Sequence, residues 1–265
     1  MEMSEEELAA VIAAWYWCPP GSIVFESNRF RLTLWKLSTE SNIVDRFNDR
    51  DTDVLIADVE KLVKSNDRNV VTWQCKPGSV PADMGQVLIG HGYVPDDRLD
   101  YLYFDMGEGR WPVLPRMRIA DGVEVKRIRT VQDAMESLKV SEWAFQRTAS
   151  SDEETKERAE NIVKESEEEK SISMTVSCNG KTVASGGATL DGNILKLWGG
   201  GTHPDCRNRG MYGALVQARC SEGFRLGARY AVVTARESTS MPILLKAGFR
   251  RVGSELHFRR KLLYA

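Results

Sequence analysis

The sequence predicts a mixed α/β protein of the α+β kind, arranged as two halves. Three observations lead there. Strand-like alternation and helix-like periodicity interleave along the whole chain. A stretch without periodicity, "GEGRWPVLPRMRIADG" from Gly107 to Gly122, carries two prolines and reads as a break between halves. In the second half, three strands run in series through two tight turns and end in "THPDCRNRGMYGAL", a glycine-arginine loop that opens a helix.

Composition narrows the class. A chain of 265 residues suits two domains, and 42% apolar residues suffice for packed cores. A net charge of −2 argues against a general nucleic-acid binder, which needs a basic excess. Cys18, Cys75, Cys178, Cys206 and Cys220 have no metal-ligand spacing, as expected for reduced thiols in a cytoplasmic protein. The opening "MEMSEEELAAVIAAWYWCPP" is acidic before its short apolar run, so it reads as an amphipathic helix and not a leader. No apolar run approaches the ~20 residues of a membrane span.

In the first half, "SIVFES" and "RFRLTLW" read as a strand pair, and "DTDVLIADVEKLVKS" as a helix with one apolar face. "NVVTWQC" is a strand. "SVPADMGQVLIGHG" is a helix with Ser79 as N-cap. "RLDYLYFDM" closes the half as a strand, with Leu102, Phe104 and Met106 as its core face and Leu99, Tyr101, Tyr103 and Asp105 on the other, where the tyrosines and Asp105 would meet an acceptor or the second half, or the tyrosines would only seal the interface between halves.

The second half opens on the strand "GVEVKRIR". "TVQDAMESLKVSEWAF" is a helix capped by Thr130. "SSDEETKERAENIVKESEEE" is a solvated helix with a thin apolar stripe of Ala159, Ile162 and Val163. "SISMTVSC", "TVASGGATL" and "ILKLWGGGT" are strands joined by "NGK" and "DGN", and Asn-Gly is a strong hairpin signal. A helix from about Arg209 to Leu226, the buried strand "RYAVVTA", a short helix in "STSMPILLKAGF" and the strand "RVGSELHFRRKL" complete the chain.

The loop carries the chemistry. A strand ends near Thr202, where Pro204 stops pairing. Gly210 and Gly213 leave the first helical turn without bulk. The first N–H groups of a helix lack internal partners and sit at the positive end of its dipole, which suits phosphate or pyrophosphate. Arg207 and Arg209 add to the field. A dinucleotide fingerprint is excluded, because "GGGTHPDCRNRG" lacks G-x-G-x-x-G and Tyr230 stands where the ribose-binding acid belongs. "NGKT" at 179–182 is no Walker loop, since Thr175 stands where its first glycine should be.

The order strand, V-x-P-x-x-R-x-x-G-x-[GA], helix, strand, helix, Gly-Phe, strand resembles the GNAT acyl-CoA N-acyltransferase superfamily over roughly residues 122–260. The resemblance implies a central, mixed, mostly antiparallel sheet flanked by helices. It also implies acetyl-CoA (coenzyme A) as co-substrate with no metal. Gly200, Gly201, Thr202, Arg207, Asn208, Arg209, Gly210, Met211, Tyr212 and Gly213 are its cofactor-binding positions here. "LWGGGT" would splay from "YAVVTA" to admit pantetheine, and an N–H near Gly200 would polarise the thioester carbonyl. This chain departs from the pattern at Tyr212, where a small residue is usual, at Glu237, near a usual asparagine, and at Leu244, where a proton-donating tyrosine is usual.

"NVVTWQC…ADMGQVLIGHGY…YLYFDM" parallels "YAVVTA…MPILLKAGF…ELHFRR". The first half therefore looks like a degenerate copy without the arginine-glycine loop, in a tandem GNAT protein. Residues 1–107 would form the degenerate half, 108–121 a linker and 122–265 the catalytic half. The implied activity is transfer of an acetyl group to a primary amine of a small or amino-acid-like acceptor. Proton removal from the amine needs a base, for which Glu142 and Glu237 are the candidates. Trp143 and Trp198 would wall the acceptor side. The alternatives are a non-catalytic acyl-CoA-binding regulatory protein and a peptide or protein N-acetyltransferase. Neither nucleic acid nor membrane is expected as a partner, and an oligomer is possible.

Overall fold

A computed structural model describes residues 2–19, 21–36, 38–107, 122–145, 149–167 and 171–263. The chain divides into two compact units. The first holds Met1–Tyr101, Ala235–Glu237 and Val252–Ala265; the second holds Leu102–Thr234 and Ser238–Arg251. The linker expected at 108–121 lies outside the described residues.

The first unit begins with α1 (Glu5–Ala14). Ser4 accepts the Glu7 N–H while the Glu7 carboxylate accepts the Ser4 N–H, a reciprocal cap that starts the helix and lets it bury Leu8 and Ile12. Strands β1 (Ile23–Glu26), β2 (Phe30–Leu34) and β3 (Asn42–Phe47) pair antiparallel in sequence. Helix α2 (Thr52–Ser65) then crosses over to β4 (Val70–Cys75), which runs parallel to β3 through Ile43–Thr72 and Val44–Trp73. The last strand, β11 (Arg250–Lys261), pairs antiparallel with β4 from Leu256–Cys75 to Lys261–Val70. The apolar face of α2, made of Leu55, Ile56, Val59 and Val63, packs with Leu32, Val44, Trp73, Leu88 and Phe258 in one core.

The sequence reading missed β3. Its charged pair Asp45-Arg46 interrupts the alternation, yet Asp45 is buried because Arg31 and Lys76 neutralise it. Helix α3 (Met84–Gly90) has Asp83, not Ser79, at its N-cap position, and the Asp83 side chain makes no capping bond. Ser79 instead sits in a turn, its N–H donating to the Lys76 carbonyl, and Pro81 keeps the helix from starting earlier. Strand β5 (Val94–Asp105) follows. Tyr101 and Tyr103 are buried, as are Leu102 and Met106, so both faces of the strand carry buried residues.

In the second unit β6 (Val123–Arg127) starts an antiparallel run with β7 (Ser171–Cys178), β8 (Lys181–Asp191) and β9 (Ile194–Thr202). Asn179 and Gly180 both take positive φ, 52° and 75°, as the two-residue hairpin requires. Helix α4 (Val131–Phe145) begins where Thr130 Oγ1 accepts the Asp133 N–H. Helix α5 (Asp152–Glu167) is charged outside, while buried Ala159 joins Ile128, Ala134 and Leu138 and is flanked by Ile162 and Val163. Helix α6 (Met211–Arg225) crosses over from β9 to β10 (Tyr230–Arg236), parallel to it. Helix α7 (Ser240–Lys246) precedes β11.

Helices α3 and α7 end alike. After α3, the Gly92 N–H donates to Ile89 and the Tyr93 N–H to Leu88; after α7, the Gly248 N–H donates to Leu245 and the Phe249 N–H to Leu244. Gly92 and Gly248 have φ of 80° and 95°, the left-handed turn that ends a helix and favours glycine. Tyr93 and Phe249 are both buried behind them.

Candidate acyl-CoA site

The site grows from the β9-α6-β10 crossover of the second unit. Parallel pairing of β9 with β10 covers Ile194–Tyr230, Leu195–Ala231 and Lys196–Val232 and then ends. Beyond those pairs β9 continues to Thr202, so the strands part where "LWGGGT" was expected to splay. On its other edge β9 stays bound to β8 but carries a bulge. Ser185 pairs with Gly201 and Gly187 with Trp198, leaving Gly199 and Gly200 opposite Gly186.

The three consecutive glycines serve different ends. Gly199 has φ of 60°. A Cβ on Gly200 would lie 3.0 Å from the Tyr212 ring and 3.1 Å from an Arg219 guanidinium nitrogen. A Cβ on Gly201 would lie 2.6 Å from the Ala144 methyl, so this glycine lets α4 approach the strand.

After Thr202, a single 3-10 turn over Pro204–Cys206 is held by His203, whose Nδ1 accepts the Asp205 N–H. Asn208 and Gly210 both take positive φ, 61° and 87°, and curl the loop into α6. Gly210 is the N-cap and offers no side-chain acceptor. The first intrahelical bond is the Ala214 N–H to the Gly210 carbonyl, so the N–H groups of Met211, Tyr212 and Gly213 precede the helical ladder. Thr202 adds a buried hydroxyl with no hydrogen-bond partner among the described residues. Open helix donors, an orphan hydroxyl and two parted strands all suit a phosphate-bearing chain laid along β9.

The other expected residues divide. Arg209 is exposed beside the helix start. Arg207 turns back, donating to the Thr202 carbonyl at 3.5 Å and to the Ala144 carbonyl at 3.3 Å, and so ties the end of α4 to β9. The Tyr212 ring lies against Gly200, and burial pushes its phenol above the ordinary value. Leu244 is buried.

The two candidate bases lie in different units. Glu142 accepts the Ser150 N–H at 3.1 Å and stands 3.9 Å from Arg158, which fixes the start of α5 against α4. Glu237, in the first unit, is half exposed and pairs with Arg98 at 3.9 Å. Trp198 lies over Gly187 and donates from its indole to Thr189 at 3.0 Å. Trp143 makes an edge contact with the His203 ring.

Sequence reasoning missed Arg219. It is 1% exposed, and its guanidinium donates to the carbonyls of Leu215, Gly187 and Trp198 at 3.2, 2.8 and 3.2 Å. The available signal was its spacing, since Arg219 falls on the same face of α6 as buried Met211 and Leu215.

The first unit repeats the crossover as β3-α2-β4 but fills the helix start with its own acids. Asp51 caps α2 by accepting the Val54 N–H, Asp53 sits in the first turn, and Asp49 lies just before, bound to Arg29. Carboxylates thus occupy the positive end of that dipole and repel a second anion. Among the described residues, no group of three His, Cys, Asp or Glu side chains could hold a metal ion, and no helix is long and apolar enough to cross a membrane.

Solved structures share this architecture at low identity. The chain is similar to a GCN5-related N-acetyltransferase from Kribbella flavida, with a TM-score of 0.63 and 14% identity over 98% of this chain and 96% of that one. A GCN5-related N-acetyltransferase from Sphaerobacter thermophilus matches with a TM-score of 0.66 and 16% identity, over 91% and 76%. A tandem GNAT protein from the clavulanic acid biosynthesis pathway matches with a TM-score of 0.63 and 14% identity, over 97% and 88%. No family model and no curated protein matches the sequence. The chain therefore has the GNAT acyltransferase fold, in its tandem form.

Proposed function

We propose that the chain is an N-acyltransferase that moves an acetyl group from acetyl-CoA to a primary amine of a small or amino-acid-like acceptor. The observation that carries this is the uncapped start of α6 beside the point where β9 and β10 part. The N–H groups of Met211, Tyr212 and Gly213, with Arg209, would hold the pyrophosphate. The edge of β9 from Gly199 to Thr202 would hold the pantetheine arm. Bound there, the thioester supplies an activated acyl carbon. The amine nitrogen forms the new bond to that carbon, and the sulfur leaves with the broken bond's electron pair. The amine loses a proton, which water or a carboxylate accepts.

The second half, residues 122–265, would carry the transfer, and residues 1–107 would form a half that binds no acyl-CoA, because acids fill its helix start. Acetyl-CoA is an intracellular metabolite, which favours the cytoplasm. The test is thiol release from acetyl-CoA against a panel of amines, with mass detection of the acylated product. A second reading, a non-catalytic acyl-CoA sensor, draws on Leu244, buried and apolar where the superfamily resemblance implies a proton donor. Acetyl-CoA binding without thiol release across the panel would favour the sensor, and absence of binding would sink both.

A further inference from the structure

Arg219 is a cation buried beneath the β9 bulge without an acid partner among the described residues. Removing a cation from water is costly, and three carbonyls replace its hydration. The fold clears room for it. A Cβ on Gly186 would stand 3.1 Å from one guanidinium nitrogen, and a Cβ on Gly200 3.1 Å from another. Arginine keeps its proton in proteins, so the charge persists.

The two strand carbonyls that it holds define the bulge. Gly187 and Trp198 are the last cross-strand pair before Gly199 and Gly200 loop out. Holding the Trp198 carbonyl also fixes the peptide that links Trp198 to Gly199. In a planar trans peptide the N–H points opposite to the C=O, so the Gly199 N–H is aimed away from Arg219. Donation to the carbonyl also polarises the amide and makes its N–H a stronger donor.

We propose that Arg219 is a positioning residue for acyl transfer: by gripping the Gly187 and Trp198 carbonyls it fixes the Gly199–Gly200 bulge and strengthens the Gly199 N–H toward the negative charge that builds on the acyl oxygen. This rests on the acyl-transfer reading above. Tyr212, whose ring closes the space over Gly200, helps confine the guanidinium there.

The experiment uses the full chain, its R219M and R219K variants, and acetyl-CoA labelled with 13C at the acyl carbonyl. Difference infrared spectra report the stretch of the bound carbonyl, and titration reports Kd. The wild type is expected to bind and to lower the carbonyl frequency relative to free acetyl-CoA. R219M is expected to bind within about threefold of wild type, to lose most of that frequency shift, and to lower kcat about 30-fold with the best amine of the panel. R219K keeps the charge but has no planar fork, so its shift and kcat should fall between the two; it also serves if R219M does not fold. Wild-type frequency and kcat in both variants would overturn the proposal and leave Arg219 a packing residue. A loss of kcat with the infrared shift intact would also overturn it. Absence of acetyl-CoA binding by the wild type would overturn the acyl-transfer reading itself.

Discussion

The Tyr101 hydroxyl donates a 2.6 Å hydrogen bond to Oε2 of Glu255, across 154 positions of sequence. His257 meets the other carboxylate oxygen at 2.7 Å, and the whole group is buried in the first unit. Burial raises the Glu255 pKa, but His257, Tyr101 and Lys76 together lower it further, so the net shift is down. A carboxylate depressed on folding adds stability above its unfolded value, and that stability is lost as pH falls through the folded one. Thermal stability should therefore drop below about pH 4.5, the ordinary value for this group. Glu255→Gln should cost about 2 kcal/mol at neutral pH and flatten the acid limb. An unchanged acid limb in denaturation curves would mean that other carboxylates govern it.

Gly92 and Gly248 end equivalent helices with equivalent bonds, yet their surroundings differ. A Cβ at Gly92 would come no nearer than 3.8 Å to the Arg260 side chain, whereas one at Gly248 would lie 3.2 Å from the Phe104 ring. Both alanine variants force a left-handed residue, at about 1–2 kcal/mol. Gly248→Ala adds crowding against an aromatic ring packed on Phe249, so it should be the worse of the two in urea melts. Equal losses would show that Phe104 moves aside freely.

Gly223 lies inside α6, where helix propensity alone says that alanine should stabilise by about 1 kcal/mol. Packing says the opposite. A Cβ there would sit 2.5 Å from a methyl of fully buried Leu195 on β9. Gly223→Ala is expected to destabilise by about 1–3 kcal/mol, with partial rescue by Leu195→Val. A stabilised single variant in chemical denaturation would mean that α6 rides more loosely on β9 than its geometry indicates.

Arg209→Glu tests the anion cradle without touching a buried group. Its exposed position predicts a stability change within about 0.5 kcal/mol. Acetyl-CoA at a hundredfold excess over Kd should stabilise the wild type by about 2.7 kcal/mol, and the charge reversal should remove most of that gain. Full ligand stabilisation in the variant, read by thermal shift, would place the pyrophosphate elsewhere.

What the sequence revealed followed from patterns that act locally. Asn179-Gly180 sets a hairpin by its own backbone preference, Thr130 caps α4, and Ala159 marks the buried stripe of an otherwise charged α5. The glycine-led start of α6 at Gly210 was legible for the same reason, since glycine at a helix start is a local feature. What stayed hidden depends on residues distant in sequence. Asp45 disguised β3 because only Arg31 and Lys76 make its burial affordable. The partner of the Tyr101 hydroxyl was not legible because Glu255, which binds it, lies far along the chain. Arg219 went unread because two of its three acceptors are strand carbonyls of Gly187 and Trp198, far from it in sequence, although its spacing from Met211 and Leu215 was a signal.

The passage of Val252–Ala265 into the first unit bears on how the molecule is made. Strand β11 pairs with β4 over Leu256–Lys261, yet those residues are translated after the entire second unit. On the ribosome, the edge of β4 that β11 will occupy stays open until late in synthesis, although Trp73 and the α2 face can already collapse around it. Vectorial folding is thus closed by a returning strand, and a nascent chain stalled before Val252 should expose that edge to chaperones or to a neighbouring nascent chain.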